Sequence, residues 1–256
     1  MAEQVIAVIP ARFGSTRFPG KPLALIAGKP MILHVVERVR RARNVSRVIV
    51  ATDDDRILDA VMVAGAEALM TRTAHSTGTG RVAEVAHREI APIYVNIQGD
   101  EPLIEPAAID EAVLLVRDNE RVNIATLAVP IRKPRHILEP NIVKVVLDAN
   151  DNALYFSRAP IPHYRGDGTS PLPGTTLHRK HLGIYVYRRE ALLRFPELTP
   201  GRLERLEQLE QLRYLEHGWP IRVGETKYDS VSVDSPADIV RVEKILAGGG
   251  NHDGEE

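Results

Sequence analysis

The feature that most constrains the fold is a regular alternation of apolar runs and amphipathic helical patterns in the first half of the chain. Residues 5–9 are all apolar and precede Pro10, which predicts a strand buried on both faces. Apolar side chains in 32–39 recur with the spacing of one helix face. Further strands are predicted at 47–52, 67–70 and 93–97, and further helices at about 54–64, 80–89 and 109–116. Such alternation predicts an α/β fold, with a mostly parallel, twisted sheet and helices on both faces.

The pattern changes after about residue 120. Strands without regular helices between them are predicted at 124–131, 143–148, 153–156 and 182–187, with a Pro- and Gly-rich surface loop at 160–176. We interpret about 132–190 as a smaller β-rich insertion lobe. A helix is then expected at 202–217, strands near 221–224 and 230–233, and a last helix at 236–246. The chain is thus predicted to form one α/β domain over 1–246, followed by a disordered tail at 247–256.

The loop after the first predicted strand, residues 10–22, carries much of the chemistry. It holds Arg12, Arg17 and Lys21, together with glycines and two hydroxyl side chains. Ligands of parallel α/β sheets bind beyond the carboxyl ends of the strands, and backbone N–H groups with fixed cations suit a triphosphate. A Walker A loop is excluded, because the glycines are one residue too far apart and the lysine precedes a proline. The alternative is a solvated basic turn.

Two aspartates follow predicted strands that lie far apart in the sequence. Asp100 comes after the strand at 93–97, and Asp234 ends the segment that includes 230–233. Mg²⁺ prefers few protein carboxylates together with phosphate oxygens and water, so the pair would suit a metal that also holds a nucleotide. Each aspartate also has a structural alternative: Asp100 as a turn residue, and Asp234 as a favourable charge near the start of the last helix.

The loop from residue 11 onward matches the pattern A-R-x-x-S-T-R-x-P-G-K-P. It resembles the signature loop of the sugar-acid cytidylyltransferases, and the resemblance to their 3-deoxy-D-manno-octulosonate (Kdo) branch covers most of residues 5–246. The matching segments lie at 50–53, 75–84, 96–102, 125–131, 143–148, 154–158, 181–185, 209–213 and 233–236. The resemblance implies a nucleotide-diphospho-sugar-transferase-like, Rossmann-type fold. It also implies a Mg²⁺-dependent transfer of CMP from CTP to Kdo, with release of pyrophosphate, for lipopolysaccharide biosynthesis.

The resemblance further implies roles for single residues. The implied catalytic residues are Lys21, Asp100 and Arg12, and the implied Mg²⁺ ligands are Asp100 and Asp234. The implied nucleotide-binding residues are Ala11, Arg12, Ser15, Lys21, His75, Ser76 and Gln98. The implied sugar-binding residues are Arg17, Gln98, Arg158, His181, Tyr185, Glu210 and Gln211. The chain departs from the family pattern at Gly80, where relatives carry an acidic residue, which puts the order of this loop and the contacts of Arg81 in question.

Other functions stay open at this point. Enzymes that act on N-acylneuraminate share the first loop, although the matching segments in the second half favour Kdo, and an 8-amino analogue of Kdo is a closer alternative. A nucleotide-binding regulator without catalysis is a third, opposed by the joint presence of Lys21, Asp100 and Asp234. A dehydrogenase is disfavoured, because the glycine fingerprint at 78–83 does not directly follow a predicted strand.

Composition limits the partners and the compartment. The 33 Lys and Arg residues are balanced by 34 Asp and Glu, so no basic field predicts binding to nucleic acid. No apolar stretch approaches the length of a membrane span, no signal-peptide pattern is present, and no cysteine offers a disulfide or thiolate ligand. We therefore expect a cytoplasmic protein, and the resemblance implies CTP and Kdo as its substrates. The resemblance implies a homodimer, with 154–187 as a candidate contact region.

Overall fold

The computed structural model describes residues 3–14, 18–165 and 177–248. Its strands are β1 (Val5–Ala11), β2 (Leu25–Ile26), β3 (Lys29–Pro30), β4 (Arg47–Thr52), β5 (Glu67–Met70), β6 (Ile93–Asn96), β7 (Ile124–Pro130), β8 (Lys144–Leu147), β9 (Ala153–Ser157), β10 (Arg179–Arg188) and β11 (Arg222–Glu225). Its α-helices are α1 (Met31–Val39), α2 (Asp55–Val63), α3 (Gly78–Arg88), α4 (Pro106–Arg117), α5 (Pro134–Leu138), α6 (Arg189–Arg194), α7 (Arg202–Glu207), α8 (Leu212–Glu216) and α9 (Pro236–Leu246). Within these ranges, no helix has the length and apolar character that crossing a bilayer requires.

Within the described residues, nine strands form one sheet, whose main path runs β11–β7–β10–β6–β1–β4–β5. Strand β1 is parallel to β4 and β6, and the β4–β5 and β11–β7 pairs are also parallel. Strand β10 is antiparallel to its neighbours β6 and β7. The prediction of an α/β fold with a mostly parallel sheet is therefore confirmed.

Helices cover both faces of this sheet. Val5, Ala7 and Ile9 of β1 belong to one apolar core with side chains of α1, α2 and α4. Ile6 and Val8 of the same strand belong to a second core with side chains of α3. Because alternate side chains of β1 enter two different cores, every position needs an apolar residue, which explains the uninterrupted apolar run in the sequence.

The β-rich region is a hairpin that extends the central sheet. Strand β8 pairs with β9 and with the first residues of β10, in both cases antiparallel. The strands predicted here are confirmed, but α5 lies where no regular helix was expected; Pro134 begins it, and the fixed φ of proline suits a first helical position. Residues 160–165 contain no helix or strand, as predicted for the loop at 160–176. The rest of that loop, and the predicted tail from 249 onward, lie outside the described residues.

Two predictions for the last part of the chain are wrong. The single helix at 202–217 is two helices, because Gln208 adopts a left-handed conformation with φ of 54° and ends α7. The break allows Glu204 on α7 and Arg213 on α8 to form a buried pair, with N–O distances of 2.6 and 2.8 Å. Residues 230–233 form no strand. Instead, the N–H of Val233 donates to the carbonyl of Asp100 at 2.9 Å.

Candidate active site

A cleft of about 260 Å³ opens where β1 and β6 end. It is bounded by the loop after β1, the segment that leads into α3, the turn after β6 and Asp234, which precedes the N-cap residue of α9. These boundaries lie at the carboxyl ends of parallel strands, where ligands of open α/β sheets bind. The cleft therefore occupies the position that the strand order predicts for a ligand.

The residues implied for the nucleotide and the metal converge on this cleft. Those that line it are Ala11, Arg12, Lys21, His75, Ser76, Gln98, Asp100 and Asp234. Ser15 and Arg17 lie outside the described residues. The lining residues come from four separate segments, so the fold brings them together rather than their proximity in the sequence.

A cation and two carboxylates meet inside the cleft. Nζ of Lys21 lies 2.6 Å from Oδ2 of Asp100 and 3.7 Å from Oδ1 of Asp234. It also donates to the carbonyl of Val233 at 2.9 Å. The chain turns sharply just before the lysine, where Gly20 adopts a φ of +72° that other residues rarely adopt. The turn and the side-chain contacts fix the ammonium between the two carboxylates.

The turn after β6 lies against the sheet by close approach at two glycines. A Cβ atom at Gly99 would lie 3.1 Å from the carbonyl oxygen of Pro10. A Cβ atom at Gly183 would lie 3.1 Å from both Cγ of Gln98 and Oε1 of Glu101. Gly183 sits at a β-bulge in β10, where the register with β7 shifts. Because these glycines have no side chains, the turn can pack closely against β10. The carboxylate of Asp100 in this turn is then presented to the cleft.

Glu84, on α3, holds the loop that carries His75. Its carboxylate accepts from Nε2 of His75 at 2.5 Å and from the N–H of Arg72 at 3.0 Å, and it pairs with the guanidinium of Arg88. Burial alone would raise the pKa of Glu84, but the bonds from His75 and Arg72 bring this pKa below its usual value. The ionised carboxylate accepts a hydrogen bond from the N–H at Nε2. In the neutral imidazole the other ring nitrogen, Nδ1, is therefore an acceptor.

Arg81 is a second buried cation beside the cleft. Its guanidinium donates to Asp53 at 2.6 Å and to Oγ1 of Thr71 at 2.5 Å, and the residue is 3% exposed. The start of α3 is ordered although no acidic residue is present at position 80. The N–H of Gly80 donates to Oγ1 of Thr77 at 3.1 Å and caps the helix. Arg81 is thus held by an aspartate and a threonine that sequence reasoning did not assign.

His181 and Tyr185 lie side by side on β10, away from the lining of the nucleotide cleft. Their ring centroids are 5.3 Å apart, and Nε2 of His181 lies 3.1 Å from Oγ1 of Thr126. Burial, and to a lesser extent the charge of Lys180, lowers the pKa of His181 to about 3, so the imidazole is neutral. The hydroxyl of Tyr185 is buried and has no hydrogen-bond partner in the part of the chain that the structure describes.

Glu210 and Gln211 lie near the break between α7 and α8. The carboxylate of Glu210 accepts from the hydroxyl of Thr79 at 2.9 Å and from its N–H at 3.2 Å, which ties this region to the start of α3. Burial raises the pKa of Glu210, with hydrogen bonds from Thr79 acting in the opposite direction. Gln211 is 6% exposed. Glu210 is therefore an anchored carboxylate and not the solvated one that a simple amphipathic helix would predict.

Arg158 lies outside the lining of the nucleotide cleft. It lines a second cavity of about 440 Å³, and Asp234 lines both this cavity and the nucleotide cleft. Nε of Arg158 donates to the carbonyl of Glu207 at 2.8 Å, and Nη1 donates to that of Pro140 at 3.1 Å. The fold thus places one of the two candidate metal ligands between the nucleotide cleft and the cavity of Arg158.

The donors available to a metal are few. Among the described residues, no group of three or more His, Cys, Asp or Glu side chains is arranged to hold an ion. The two aspartates of the cleft are carboxylates, which are preferred Mg²⁺ ligands when phosphate oxygens and water complete the shell. Their assignment as metal ligands stays a prediction, as do the roles implied for the other site residues.

Known proteins resemble this chain over nearly its whole length. A family model described as cytidylyltransferase matches residues 6–227. A 3-deoxy-manno-octulosonate cytidylyltransferase of Geobacter sulfurreducens is 54% identical over 243 residues, which cover 93% of this chain and 97% of the relative. The chain belongs to the 3-deoxy-manno-octulosonate cytidylyltransferase family. A member from Anaeromyxobacter dehalogenans is also 54% identical, over 96% of this chain and 98% of the relative.

Solved structures agree with this family. A CMP:2-keto-3-deoxy-manno-octonic acid synthetase complexed with CTP superposes with a TM-score of 0.89 and is 43% identical, over 96% of this chain and 99% of that protein. A 4-diphosphocytidyl-2C-methyl-D-erythritol synthase from Anaerococcus prevotii has a TM-score of 0.62 at 11% identity, over 96% of this chain and 97% of that protein, which shows the shared fold alone. The predicted fold and family are therefore both confirmed.

Sequence reasoning assigned no role to several polar residues around the cleft of this cytidylyltransferase. Glu84 and Arg81 lie in the matching segment at 75–84, and Glu101 lies in the segment at 96–102. The sequence signal that could have identified them is charge at a buried position. Each is a charged residue on the core-facing side of α3 or of the turn after β6. Their partners could not be predicted, because these depend on how loops from different strands meet.

Proposed function

We propose that this chain is a Mg²⁺-dependent enzyme that transfers CMP from CTP to the anomeric hydroxyl of Kdo and releases pyrophosphate. The observation that carries the proposal is the single cleft in which the residues expected to bind the nucleotide and the metal meet. Full-length similarity to proteins named 3-deoxy-manno-octulosonate cytidylyltransferase supports Kdo as the acceptor. The similar structure complexed with CTP supports the nucleotide. The activated sugar would serve lipopolysaccharide biosynthesis.

Asp100 and Asp234 are our proposed ligands of Mg²⁺. The residues fit this ion, because the two carboxylates share one cation, Lys21, at 2.6 and 3.7 Å, and this point of the cleft therefore favours positive charge. Two protein carboxylates also leave positions for phosphate oxygens and water. When bound, Mg²⁺ would neutralise charge on the α-phosphate and lower the pKa of the attacking hydroxyl.

The side chains of the cleft position the reactants and oppose their charge. The anomeric hydroxyl gives up its proton to solvent and its oxygen attacks the α-phosphorus in line, while the bond from this phosphorus to the bridging oxygen of pyrophosphate breaks. Arg12 and Lys21 would bind the phosphates and stabilise the charge that develops on the leaving group. His75, Ser76 and Gln98 would orient the cytidine, so that the α-phosphorus faces the sugar. Holding two reactants in this geometry supplies a large part of the rate enhancement.

We place Kdo between the nucleotide cleft and the cavity of Arg158. Asp234 lines both spaces, so a sugar there would lie next to a proposed metal ligand. Arg158 offers a cation for the carboxylate of Kdo. Donors and acceptors for its hydroxyl groups would come from Gln98, His181, Tyr185, Glu210 and Gln211, and Arg17 completes the proposed set. Neutral His181 can serve here without adding a second charge.

We also propose that the enzyme is a cytoplasmic homodimer. The cytoplasm is where CTP is available as a substrate. Leu154 on β9 and Leu206 on α7 are 62% and 70% exposed. Their two elements are joined through Glu207, which accepts from the hydroxyls of Tyr155 and Ser157. Two large apolar side chains on neighbouring elements suit a contact with a second copy.

The reaction is tested by following pyrophosphate release from CTP and Mg²⁺ in the presence of Kdo. Parallel reactions contain the 8-amino analogue of Kdo, N-acetylneuraminate, no sugar, or Kdo with EDTA. We expect release with Kdo alone, and loss of it in EDTA. Release only with another sugar acid would replace the proposed acceptor. CTP binding without release in any reaction would favour a non-catalytic nucleotide-binding protein.

Asp100→Asn tests the metal ligand directly. We expect turnover to fall by about a hundredfold or more, because stabilisation of transition-state charge by a metal is worth several kcal/mol. Asp118→Asn is the matched control, since Asp118 pairs with Arg117 on the surface, with its side chain 62% exposed. Circular dichroism would check that both variants fold. Near-normal turnover of Asp100→Asn would contradict the metal assignment.

A further inference from the structure

Lys21 occupies the point of the cleft where the two candidate metal ligands meet. Its Nζ lies 2.6 Å from Oδ2 of Asp100, 3.7 Å from Oδ1 of Asp234 and 2.9 Å from the carbonyl oxygen of Val233. The lysine side chain is 13% exposed, and those of the two aspartates are 30% and 38% exposed. An ammonium held among these oxygens is a fixed counter-ion of the aspartate pair rather than a mobile surface charge.

This ammonium competes with a metal for the same oxygens. Mg²⁺ approaches carboxylate oxygens to about 2.0–2.1 Å, and an ammonium that contacts the same carboxylate would repel it at short range. The repulsion is only partly screened, since the lysine side chain is largely buried. A metal that binds these same oxygens therefore requires Lys21 to move away from them. The flexible four-carbon stem of lysine permits such a movement.

A triphosphate provides the place to which the ammonium can move. Arg12 and Lys21 line the same cleft, in the loop that the proposed function assigns to the phosphates. A highly charged anion beside Lys21 competes with Asp100 for its ammonium. Its arrival therefore changes which oxygens the lysine neutralises.

We propose that Lys21 couples metal binding to nucleotide binding: its ammonium balances Asp100 and Asp234 before CTP binds, and the triphosphate draws it away and makes both carboxylates available to the metal. The inference rests on the proposed function, from which it takes CTP and Mg²⁺. It adds an order of events, in which tight metal binding accompanies or follows nucleotide binding. It also gives Lys21 a positioning role, because the ammonium keeps two like charges together before the substrates arrive.

The test measures Mn²⁺ binding to the full chain without nucleotide, from the electron paramagnetic resonance signal of the unbound ion. Lys21→Met removes the charge at similar length, and Lys21→Arg keeps it. Lys29→Met is the matched control, since Lys29 pairs with Glu37 at 2.8 Å on the surface. We expect Lys21→Met to bind Mn²⁺ about tenfold more tightly than the unaltered chain, a factor within the usual range of coupling between sites. Lys21→Arg and Lys29→Met should bind Mn²⁺ as weakly as the unaltered chain.

A second measurement follows the same coupling from the nucleotide side. The affinity for CTP is measured by calorimetry with and without Mg²⁺, and the ratio of the two affinities reports the coupling, which is reciprocal between the two ligands. Loss of a phosphate contact in Lys21→Met lowers both affinities, but we expect the ratio itself to fall about tenfold. A merely structural role of Lys21 would not change this ratio.

Each outcome separates the inference from the proposed function. Unchanged Mn²⁺ affinity of Lys21→Met would overturn the inference, and so would equal tightening in Lys21→Arg, because charge would then not be the cause. Circular dichroism would verify that the variants fold. If the unaltered chain bound no Mn²⁺ even with CTP, the metal site and the inference would fail together. Pyrophosphate release with Kdo, measured separately, would still decide the cytidylyltransferase proposal.

Discussion

At the scale of single residues, the cleft depends on side chains that act through partners distant in the sequence. Lys21 and Asp100 could be assigned from the sequence, because each follows a strand in a segment that resembles a known family. Their contact at 2.6 Å could not be predicted, since it depends on how two loops meet. The contact between Glu84 on α3 and His75 in the loop before this helix could not be predicted either, for the same reason. Motifs therefore pointed to residues that line the cleft, and the fold decides which of them touch.

Glu84→Gln should weaken nucleotide binding. The change removes a charged acceptor that holds His75 at 2.5 Å and selects its tautomer. Loss of one hydrogen bond to a charged group corresponds to about a tenfold rise in the KM for CTP. The KM for Kdo should not change. Glu89→Gln is the control at the C-cap of the same helix, where Glu89 pairs with Arg47 outside the lining of the cleft. An equal effect of both substitutions on CTP would contradict a specific role of Glu84.

Glu101 gives the fold a pH dependence of its own. Burial, and then the charge of Asp100, raises the pKa of Glu101 from 4.5 to about 7. The folded state therefore binds this proton more tightly than the unfolded state does. Ionisation of Glu101 therefore destabilises the fold. This destabilisation is absent below the pKa of the unfolded state, grows as the pH rises, and is complete above the pKa of the folded state.

Glu101→Gln replaces this carboxyl by a group that stays neutral. Its melting temperature, relative to that of the unaltered chain, should rise between about pH 5 and about pH 8. The measurement is a series of thermal melts in EDTA, so that metal binding does not contribute. Glu120→Gln, at an exposed position, should give no such trend. A constant difference across this range would argue against a raised pKa at Glu101.

At the scale of elements, predictions succeeded where burial dictates the sequence and failed where a few local contacts decide. Strand β1 could be predicted because both of its faces enter apolar cores. The continuous helix expected at 202–217 failed, because apolar spacing does not reveal that Gln208 adopts a left-handed φ. Leu209 and Leu212 are buried while Leu206 is exposed, so the break separates side chains that the helical pattern grouped together.

The bulge in β10 is an element whose shape matters for the site. Oγ1 of Thr126 lies 2.7 Å from the carbonyl oxygen of Ile184 and 3.1 Å from that of Leu182, on either side of Gly183. It also lies 3.1 Å from Nε2 of His181. Because the single hydroxyl hydrogen is directed to these carbonyls, mainly to that of Ile184, the hydroxyl oxygen accepts from the imidazole. One buried side chain thus holds the bulge that faces the Gln98 turn and orients a candidate sugar ligand.

Thr126→Val keeps the shape of this side chain and removes its hydroxyl. We expect a loss of about 1–3 kcal/mol in the free energy of unfolding, because buried polar groups lose their partner. The KM for Kdo should also rise, since His181 is no longer oriented. Thr126→Ser retains the hydroxyl and should restore the KM for Kdo even if some stability is lost. The measurements are denaturant unfolding and steady-state kinetics. Equal KM values for Kdo in the Val and Ser variants would show that the hydroxyl of Thr126 does not affect sugar binding.

At the scale of the whole molecule, two exposed apolar side chains bear on the subunit contact that we propose. Exposed apolar side chains are by themselves ordinary, as at Val63 at the end of α2. Leu154 differs, because it projects from β9 in the region 154–187 that the resemblance implied as a candidate contact, and Leu206 projects from α7, which adjoins β9. Glu207 links these two elements next to Arg158, whose N–H donates to its carboxylate at 2.9 Å. A subunit contact here would therefore stabilise the wall that holds a proposed sugar ligand.

Leu154→Glu tests this contact and its link to the site. A charge in the centre of an apolar interface is left without a partner, so we expect the variant to elute as a monomer in size-exclusion chromatography with light scattering. Val63→Glu introduces the same charge at a side chain that is 89% exposed on α2, and it should remain dimeric. If the contact supports Arg158, the monomer should also have a raised KM for Kdo and an unchanged KM for CTP. A dimeric Leu154→Glu would move the interface elsewhere, whereas a monomer with normal kinetics would separate assembly from the sugar site.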